Sequence, residues 1–146
     1  MDIYLGADHR GFPLKVQIAK WLERRNISYN DLGSHELNPD DDYNDYAIAV
    51  AKKVLAVPDS YGILACGSAE GVCMQANRFK GIRAAACLNV GSAKASREHH
   101  NANVLCLSAE EDTGQYRDII DTFLSTEFLN LDRYNRRNQR LDEATP

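Results

Sequence analysis

The stretch YGILACGSAEGVCMQANRFKGIRAAAC, residues 61–87, contains the pattern around which the rest of the chain is organised. Its first five residues are apolar and β-rich, a run too short for a helix, and they predict a buried strand. A glycine-punctuated turn follows at 66–71, then a short helix at 72–79 that Gly81 ends, then a second strand at 82–87. This succession is typical of one unit of an α/β protein.

The turn CGSAEG, residues 66–71, has the composition of an anion-binding loop. Small residues let backbone N–H groups converge on a bound anion, and the helix that follows adds the positive end of its dipole. Cys66 stands where these groups favour a thiolate, which makes it a candidate base or nucleophile. The alternative is that Cys66 is a buried core cysteine and that the glycines only turn the chain.

Length, charge and cysteine content exclude several classes of protein. A chain of 146 residues predicts one domain, and a net charge of −4 gives no reason to expect a nucleic-acid partner. The four cysteines contain no Cys-x-x-Cys pair, which argues against a zinc site and a disulfide scaffold. Without a membrane-spanning apolar run or a leader-like start, we expect a reduced, cytoplasmic, soluble protein with no membrane partner.

Strands and helices alternate through the remaining chain. Strands are predicted at 2–7, 27–32 and 102–108, and helices at 13–25, 46–55, 91–100, from a cap at Asp112 or Thr113 to 123, and at 129–141. The first helix is predicted to bury Leu14, Ile18, Trp21 and Leu22 and to leave Lys15 outside. The second is predicted to turn Ile48, Ala51 and Leu55 inward.

Most of the strands are apolar on both faces, which is typical of a parallel sheet covered by helices on both sides. The pattern predicts one Rossmann-like, three-layer αβα domain over 1–146, with a five-stranded sheet in flavodoxin-like order. Ligands of such sheets bind beyond the carboxyl ends of the strands. Asp8, His9 and the turn at 66–71 follow strands there, whereas the polar residues 98–103 precede the fifth strand and would serve the site from a neighbouring subunit.

An ordered set of short motifs runs along nearly the whole chain. The set comprises GADHRG at 6–11 with LK at 14–15, DY at 42–43, GILACGS at 62–68, AN at 76–77, GIRAA at 81–85, REH at 97–99, ANV at 102–104, and Arg133 with Arg137. No single motif is decisive, but the ordered set is highly specific. With it the chain resembles the type B ribose-5-phosphate isomerases, in the superfamily that includes the galactose-6-phosphate isomerase subunits.

The resemblance implies an aldose–ketose isomerase of carbohydrate metabolism, in the pentose phosphate pathway, without a metal or another cofactor. It implies that Cys66 removes a carbon-bound proton, that His99 opens the sugar ring, and that Ser68 and nearby amides hold the enediolate oxygens. The implied substrate-binding residues are Asp8, His9, Gly67, Ala69, Glu70, Gly71, His100, Arg133 and Arg137. A homodimer is implied, with a tetramer as the alternative and the C-terminal helix at the subunit interface.

Five positions depart from the family pattern. His100 replaces a usual asparagine, Glu110 a common phosphate-contacting arginine, Tyr134 a usual histidine and Ala69 a loop glycine, while Glu70 adds a carboxylate beside the loop. These departures leave the base and the ring-opening residue intact, but they affect the phosphate grip. Three hypotheses follow: interconversion of ribose 5-phosphate and ribulose 5-phosphate, the same chemistry on a tetrose or hexose phosphate, and a non-catalytic subunit that binds a sugar phosphate.

Several of the implied site residues also have a purely structural interpretation. Asp8 could cap the helix that follows it, and His9 could be a surface histidine. Arg133 and Arg137 lie four residues apart on one side of the last helix, which could be a solvated face. Glu70 could face solvent and stabilise the N-terminus of its helix.

Overall fold

The computed structural model describes residues 1–111 and 114–143, so the helix cap predicted at Asp112 or Thr113 lies outside the described residues. Strands and helices alternate in it as predicted. The strands are β1 (Asp2–Ala7), β2 (Asn30–Asp31), β3 (Ser60–Cys66), β4 (Ala84–Ala86) and β5 (Val104–Ser108). The helices are α1 (Phe12–Arg24), α2 (Tyr43–Ala56), α3 (Glu70–Ala76), α4 (Val90–His100), α5 (Tyr116–Ser125) and α6 (Asp132–Glu143).

The described strands form one parallel sheet in the order β2-β1-β3-β5-β4. The predicted five-stranded parallel sheet and its flavodoxin-like order are confirmed: β1 lies between β2 and β3, and β5 lies between β3 and β4. The chain therefore passes from β1 to β2 on one side of β1 and then crosses to β3 on its other side. This reversal creates a topological switch point between β1 and β3. Open α/β sheets bind ligands at such a point.

Two apolar cores, one on each face of the sheet, hold the layers together. One core joins the sheet to α1, α4 and α5, and Ile18, Leu105 and Phe123 are buried there. The other joins the sheet to α2 and α3, and Val50, Leu64 and Val72 are buried there. The three-layer αβα arrangement follows from strands that are apolar on both faces, since each face needs a layer of helices to cover it.

The apolar face of α1 is the predicted one, but Lys15 is not outside. Lys15 is 2% exposed, and its Nζ donates to Asp31 Oδ1 at 2.6 Å and to Oδ2 at 2.5 Å. Asp31 Oδ1 also accepts from the Gly33 amide at 2.9 Å. A buried ammonium needs such a partner. The prediction that Lys15 lies outside was wrong because Lys15 anchors the β2 edge to α1.

Helix α2 is rotated by about one position from its predicted face. Leu55, predicted inward, is 46% exposed, and Ile48 is only half-buried, whereas Val50 is fully buried. The reason lies in two strand glycines: a Cβ placed on Gly6 would lie 2.9 Å from Val50 Cγ2, and one on Gly62 would lie 2.6 Å from Cγ1. These glycines let α2 approach the sheet at Val50.

Both edges of the sheet are short. The strand predicted at 27–32 pairs with β1 only at Asn30 and Asp31. At the opposite edge, the Asn77 side chain donates to the Ala84 carbonyl oxygen at 2.9 Å and accepts from its amide at 2.8 Å. Asn77 thus occupies backbone groups that an edge strand otherwise exposes. Among the described residues, no helix combines the length and hydropathy needed to cross a bilayer.

Candidate active site

A cleft of about 400 Å³ lies at the switch point between β1 and β3. Its walls come from three segments that are distant in sequence: 8–10 after β1, 41–43 before α2, and the loop after β3 with Cys66, Gly67, Ser68 and Gly71. The structure therefore brings together Asp8, His9, Cys66 and Ser68, which the sequence marked as candidates.

Cys66 is the last residue of β3 and lines the cleft. It is a free cysteine, 4% exposed, and it also packs against the apolar core on the α2 and α3 side of the sheet. The Cys66 carbonyl accepts from the Ala109 amide at 2.9 Å, which ties the end of β3 to the segment that follows β5. The backbone of Cys66 is thus fixed at the edge of the sheet where its side chain lines the cleft.

The loop after Cys66 is anchored through its carbonyl groups. The Gly67 carbonyl accepts from the Ser108 hydroxyl at 2.7 Å and from the Glu110 amide at 3.0 Å. The amides of Gly67 and Ser68, in contrast, donate to none of the described residues. A loop with fixed carbonyls and unused N–H groups beside a thiol suits a negatively charged oxygen.

Three further loop residues were predicted to bind substrate, and they occupy different environments. Gly71 lines the cleft, and a Cβ there would lie 2.9 Å from the Tyr43 ring, so this position has no room for a side chain. Ala69 is fully buried with φ +70°, a left-handed conformation that glycine adopts more readily than alanine. Glu70 is exposed in the first turn of α3, as its structural interpretation predicted.

Asp8 caps the turn that leads into α1. Its Oδ1 accepts from the Arg10 amide at 3.1 Å and from the Gly11 amide at 3.0 Å, and the residue is 5% exposed. Gly11 is required at this bend, because a Cβ would lie 2.2 Å from the Ala65 carbonyl oxygen. Asp8 thus orders the turn before α1 but does not cap the helix itself, whose N-cap is Gly11 without a side-chain hydrogen bond, and Asp8 also lines the cleft.

His9 belongs to a hydrogen-bonded chain and is not a free surface histidine. Its Nδ1 lies 2.7 Å from Asp41 Oδ1, and the Tyr46 hydroxyl donates to Asp41 Oδ2 at 3.0 Å. Burial alone would raise the pKa of the Asp41 carboxyl, but hydrogen bonds from His9 and Tyr46 outweigh it and hold that pKa below its ordinary value. An ionised Asp41 carboxylate can only accept, so His9 Nδ1 is the donor in this contact.

Sequence reasoning missed Asp41 and Tyr46. The available signal was the acidic loop at 35–42, which precedes the DY pair at 42–43. Asp41 is joined to a residue 32 positions earlier in the chain, and nothing in local spacing identifies that contact.

One group of potential metal ligands occurs among the described residues. Asp8, His9 and Asp41 bring ligand-type atoms within 4.8 Å of one another. The Oδ1 atom of Asp8 already accepts from two backbone amides, and His9 Nδ1 is bonded to Asp41. The arrangement is explained by these hydrogen bonds.

The other candidate residues lie on α4 and α6, outside the described walls of this cleft. His99 stacks on the Tyr134 ring, with centroids 4.9 Å apart, and its carbonyl accepts from Asn138 Nδ2 at 3.2 Å. Arg133 and Arg137 are exposed on α6, and the Arg133 guanidinium lies 4.6 Å from the centre of the Tyr134 ring. One chain thus carries two separate groups of candidate residues.

His100 lines a different cleft, of about 280 Å³, with Arg83 and Leu141. Burial lowers the pKa of His100, and the neighbouring His99 and Arg83 lower it further. Arg83 itself donates to both carboxylate oxygens of Asp142, at 2.7 and 2.6 Å, and so joins β4 to α6.

The fold and the cleft together define a class: a flavodoxin-like α/β protein with a cysteine and a hydrogen-bonded histidine at its switch point. A family model described as "Ribose/Galactose Isomerase" matches residues 3–141, and the chain belongs to that family. The resemblance inferred from the motifs is confirmed.

Individual relatives agree with the family match. The chain is 45% identical over 127 residues to a probable ribose-5-phosphate isomerase B of Mycoplasma pneumoniae, covering 86% of this chain and 84% of the relative. A ribose 5-phosphate isomerase structure from Thermotoga maritima has a TM-score of 0.93 at 38% identity and covers 98% of each chain. Ribose-5-phosphate isomerase B from Mycoplasma genitalium, solved with bound ribulose-5-phosphate, has a TM-score of 0.91 at 39% identity, covering 97% and 94%.

Proposed function

We propose that the protein is an aldose–ketose isomerase that interconverts ribose 5-phosphate and ribulose 5-phosphate through an enediolate, without a metal. The observation that carries the proposal is the placement of Cys66 beside the unused amides of Gly67 and Ser68 in one cleft with His9. Relatives named ribose-5-phosphate isomerase B support the substrate, as does the Mycoplasma genitalium structure with ribulose-5-phosphate.

The proposed reaction moves hydrogen without any external oxidant or reductant. The Cys66 thiolate removes the proton from carbon 2 of the open-chain aldose, and the electron pair moves into the carbonyl to form the enediolate. The amides after Cys66 and the Ser68 hydroxyl stabilise the charged oxygen, a contribution of about 3–4 kcal/mol per donor. The proton returns to carbon 1, and a proton shift between the two oxygens leaves the ketose, an isomer of the substrate.

Ring opening and phosphate binding need residues that a single copy does not bring to the cleft. We assign ring opening to His99 of the partner subunit and phosphate binding to the partner's Arg133 and Arg137. Guanidinium groups bind phosphate through paired hydrogen bonds. In this proposal 1–146 acts as one isomerase domain, a homodimer is the smallest active form, and α6 lies at the interface.

The first test measures ribulose 5-phosphate formed from ribose 5-phosphate by the purified protein. We expect Cys66→Ala to abolish turnover while keeping the native circular dichroism spectrum. Cys73→Ala, a half-buried cysteine on α3 outside the described cleft walls, is the matched control and retains activity. Full activity of folded Cys66→Ala would falsify the assignment of the base.

A second candidate function is the same chemistry on a tetrose or hexose phosphate. It is favoured by Glu110, whose carboxylate contacts Arg10 at the mouth of the cleft and so alters the charge that a phosphate would meet. A panel of tetrose, pentose and hexose phosphates distinguishes the candidates through kcat/KM. A clear preference for ribose 5-phosphate eliminates the second candidate.

A further inference from the structure

Arg10 and Glu110 meet over the loop that follows Cys66. Their side chains form an ion pair, Arg10 Nη2 to Glu110 Oε1. A Cβ placed on Gly67 would lie 3.0 Å from Arg10 Nε and 3.0 Å from Glu110 Oε1. The ion pair therefore lies against Gly67, the residue next to Cys66, at the edge of the cleft.

The rest of this cleft is acidic. Asp8, Asp41 and Asp42 line it, and among the described lining residues Arg10 is the one arginine or lysine. A phosphorylated sugar carries about two negative charges at neutral pH, so within one chain Arg10 is the group suited to attract it. Glu110 already occupies that guanidinium.

A guanidinium binds carboxylate and phosphate through the same planar arrangement of donors, so the two anions compete for it. The ion pair is solvent-accessible, with the Arg10 side chain 60% exposed and that of Glu110 47% exposed. An exposed pair of this kind contributes little to stability, and a bound anion can displace one partner without a large penalty.

We propose that Arg10 is an anion-binding residue of this cleft and that Glu110 is an internal competitor that weakens its grip on the phosphate of the substrate. This inference rests on the proposed function, which supplies a phosphorylated substrate. It makes Glu110 a specificity-determining residue: sugars bound mainly through their hydroxyl groups lose less affinity to Glu110 than sugars bound mainly through phosphate.

Inorganic phosphate is the probe, and its dissociation constant is measured by calorimetry at low ionic strength. We expect Glu110→Gln to keep the backbone hydrogen bond from residue 110 to the Gly67 carbonyl and to tighten phosphate binding about five-fold. Arg10→Gln weakens binding by a similar factor, and adding Glu110→Gln to it restores little, because the competitor acts only through Arg10. Added salt at about 0.5 M shrinks all of these differences.

Glu111→Gln is the matched control, since it removes the same charge one position further on. Glu111 is exposed, and the hydrogen bond that its backbone N–H donates to Ser108 Oγ, at 2.9 Å, does not involve its side chain. The proposal is overturned when Glu110→Gln gains no more phosphate affinity than Glu111→Gln. It is equally overturned when Glu110→Gln gains as much affinity without Arg10 as with it.

Turnover separates this inference from the proposed function. With ribose 5-phosphate, Glu110→Gln lowers KM and leaves kcat unchanged, as expected when only ground-state binding improves. A protein that turns over no sugar phosphate contradicts the proposed function alone, since the inorganic phosphate measurements need no catalysis. Normal turnover with no effect of Glu110→Gln on phosphate binding contradicts the inference alone.

Discussion

Ala69 has φ +70° and ψ −13°, a left-handed conformation that costs an alanine about 1–2 kcal/mol. The other non-glycine residues with positive φ in the described chain are asparagine or aspartate, which tolerate it. The strained residue lies two positions from Gly67 in the proposed oxyanion loop. Local strain of this kind concentrates at functional sites.

Replacing Ala69 by glycine tests this strain. Ala47, equally buried but inside helix α2, is the matched control. Both substitutions remove a buried methyl group, but Ala47→Gly also loses about 1 kcal/mol of helix propensity, whereas Ala69→Gly relieves strain. We expect urea unfolding to show Ala69→Gly about 2–3 kcal/mol less destabilising than Ala47→Gly, the sum of the two effects. A difference of no more than about 1 kcal/mol, which helix propensity alone would give, would contradict the strain.

Asp41→Asn tests the hydrogen-bonded chain through pH. Because its pKa is lowered in the folded state, the Asp41 carboxylate stabilises the fold above its ordinary pKa of about 3.9. That stability is lost as pH falls through the lower folded pKa. We expect Asp41→Asn to lower the free energy of unfolding by about 2 kcal/mol at pH 7 and by progressively less below pH 4. A deficit that stays constant down to pH 3 would contradict this.

At the residue scale, the sequence predicted which candidates lie together when they stand at or just after the carboxyl end of a strand. Asp8, His9 and Cys66 lie together because the carboxyl ends of neighbouring parallel strands share one edge of the sheet. Asp41 and Tyr46 could not be predicted in this way, since their contacts depend on the path of an irregular loop.

At the scale of elements, the last turn of helix α4 contains a buried arginine. Arg97 is 6% exposed, and its guanidinium donates to the Ala102 carbonyl at 2.6 Å, Asn101 Oδ1 at 2.9 Å and the Tyr61 hydroxyl at 3.1 Å. Burial lowers the pKa of Arg97. The cation is stabilised by neutral oxygens and by the Phe123 ring, 5.6 Å away.

We therefore expect Arg97→Ala to destabilise the protein by about 3 kcal/mol, since it leaves several buried acceptors unpaired. Arg97→Lys retains the charge but not the fork of donors, and it loses part of that stability. Chemical denaturation measures both variants. Arg24→Ala, an exposed arginine at the end of α1, is the control and changes stability by less than about 0.5 kcal/mol. A loss at Arg97 no larger than this would refute its anchoring role.

The elements themselves were largely predictable, and their orientations less so. Periodicity identified the helices and the buried strands, because burial on both faces of a sheet leaves a plain sequence pattern. The face of α2 was misjudged because Gly6 and Gly62 select Val50 as the contact, a choice made by the opposing strands. The strand predicted at 27–32 shrank to Asn30–Asp31, since an edge strand pairs on one side only.

At the scale of the whole molecule, subunit complementation tests the proposed site shared between two subunits. Cys66→Ala and His99→Asn are each expected to be inactive as homodimers. Co-expression of both gives mixed dimers in which one site combines an intact Cys66 with the partner's His99. Random pairing then restores about a quarter of the wild-type activity per dimer.

Co-expression that restores no activity, while mass measurement finds mixed dimers, would contradict a shared site. Light scattering of the wild-type protein supplies the mass in solution, which distinguishes a monomer, dimer or tetramer. The sequence indicated this division because the residues at 98–103 precede their strand, whereas Cys66 stands at the carboxyl end of its own. The surfaces that would meet between copies cannot be derived from the sequence of one chain, since hydrophobic periodicity reports only which residues are buried within that chain.

The edge of the sheet at β4, where the Asn77 side chain occupies backbone groups, limits how two copies can join. A strand from another molecule would have to displace both hydrogen bonds between Asn77 and Ala84 before it could extend the sheet. A continuous sheet that joins two subunits through β4 is therefore disfavoured. Helical surfaces are better candidates than the β4 edge for the proposed contact between copies, because Met74, Val90 and Leu141 expose apolar side chains on α3, α4 and α6.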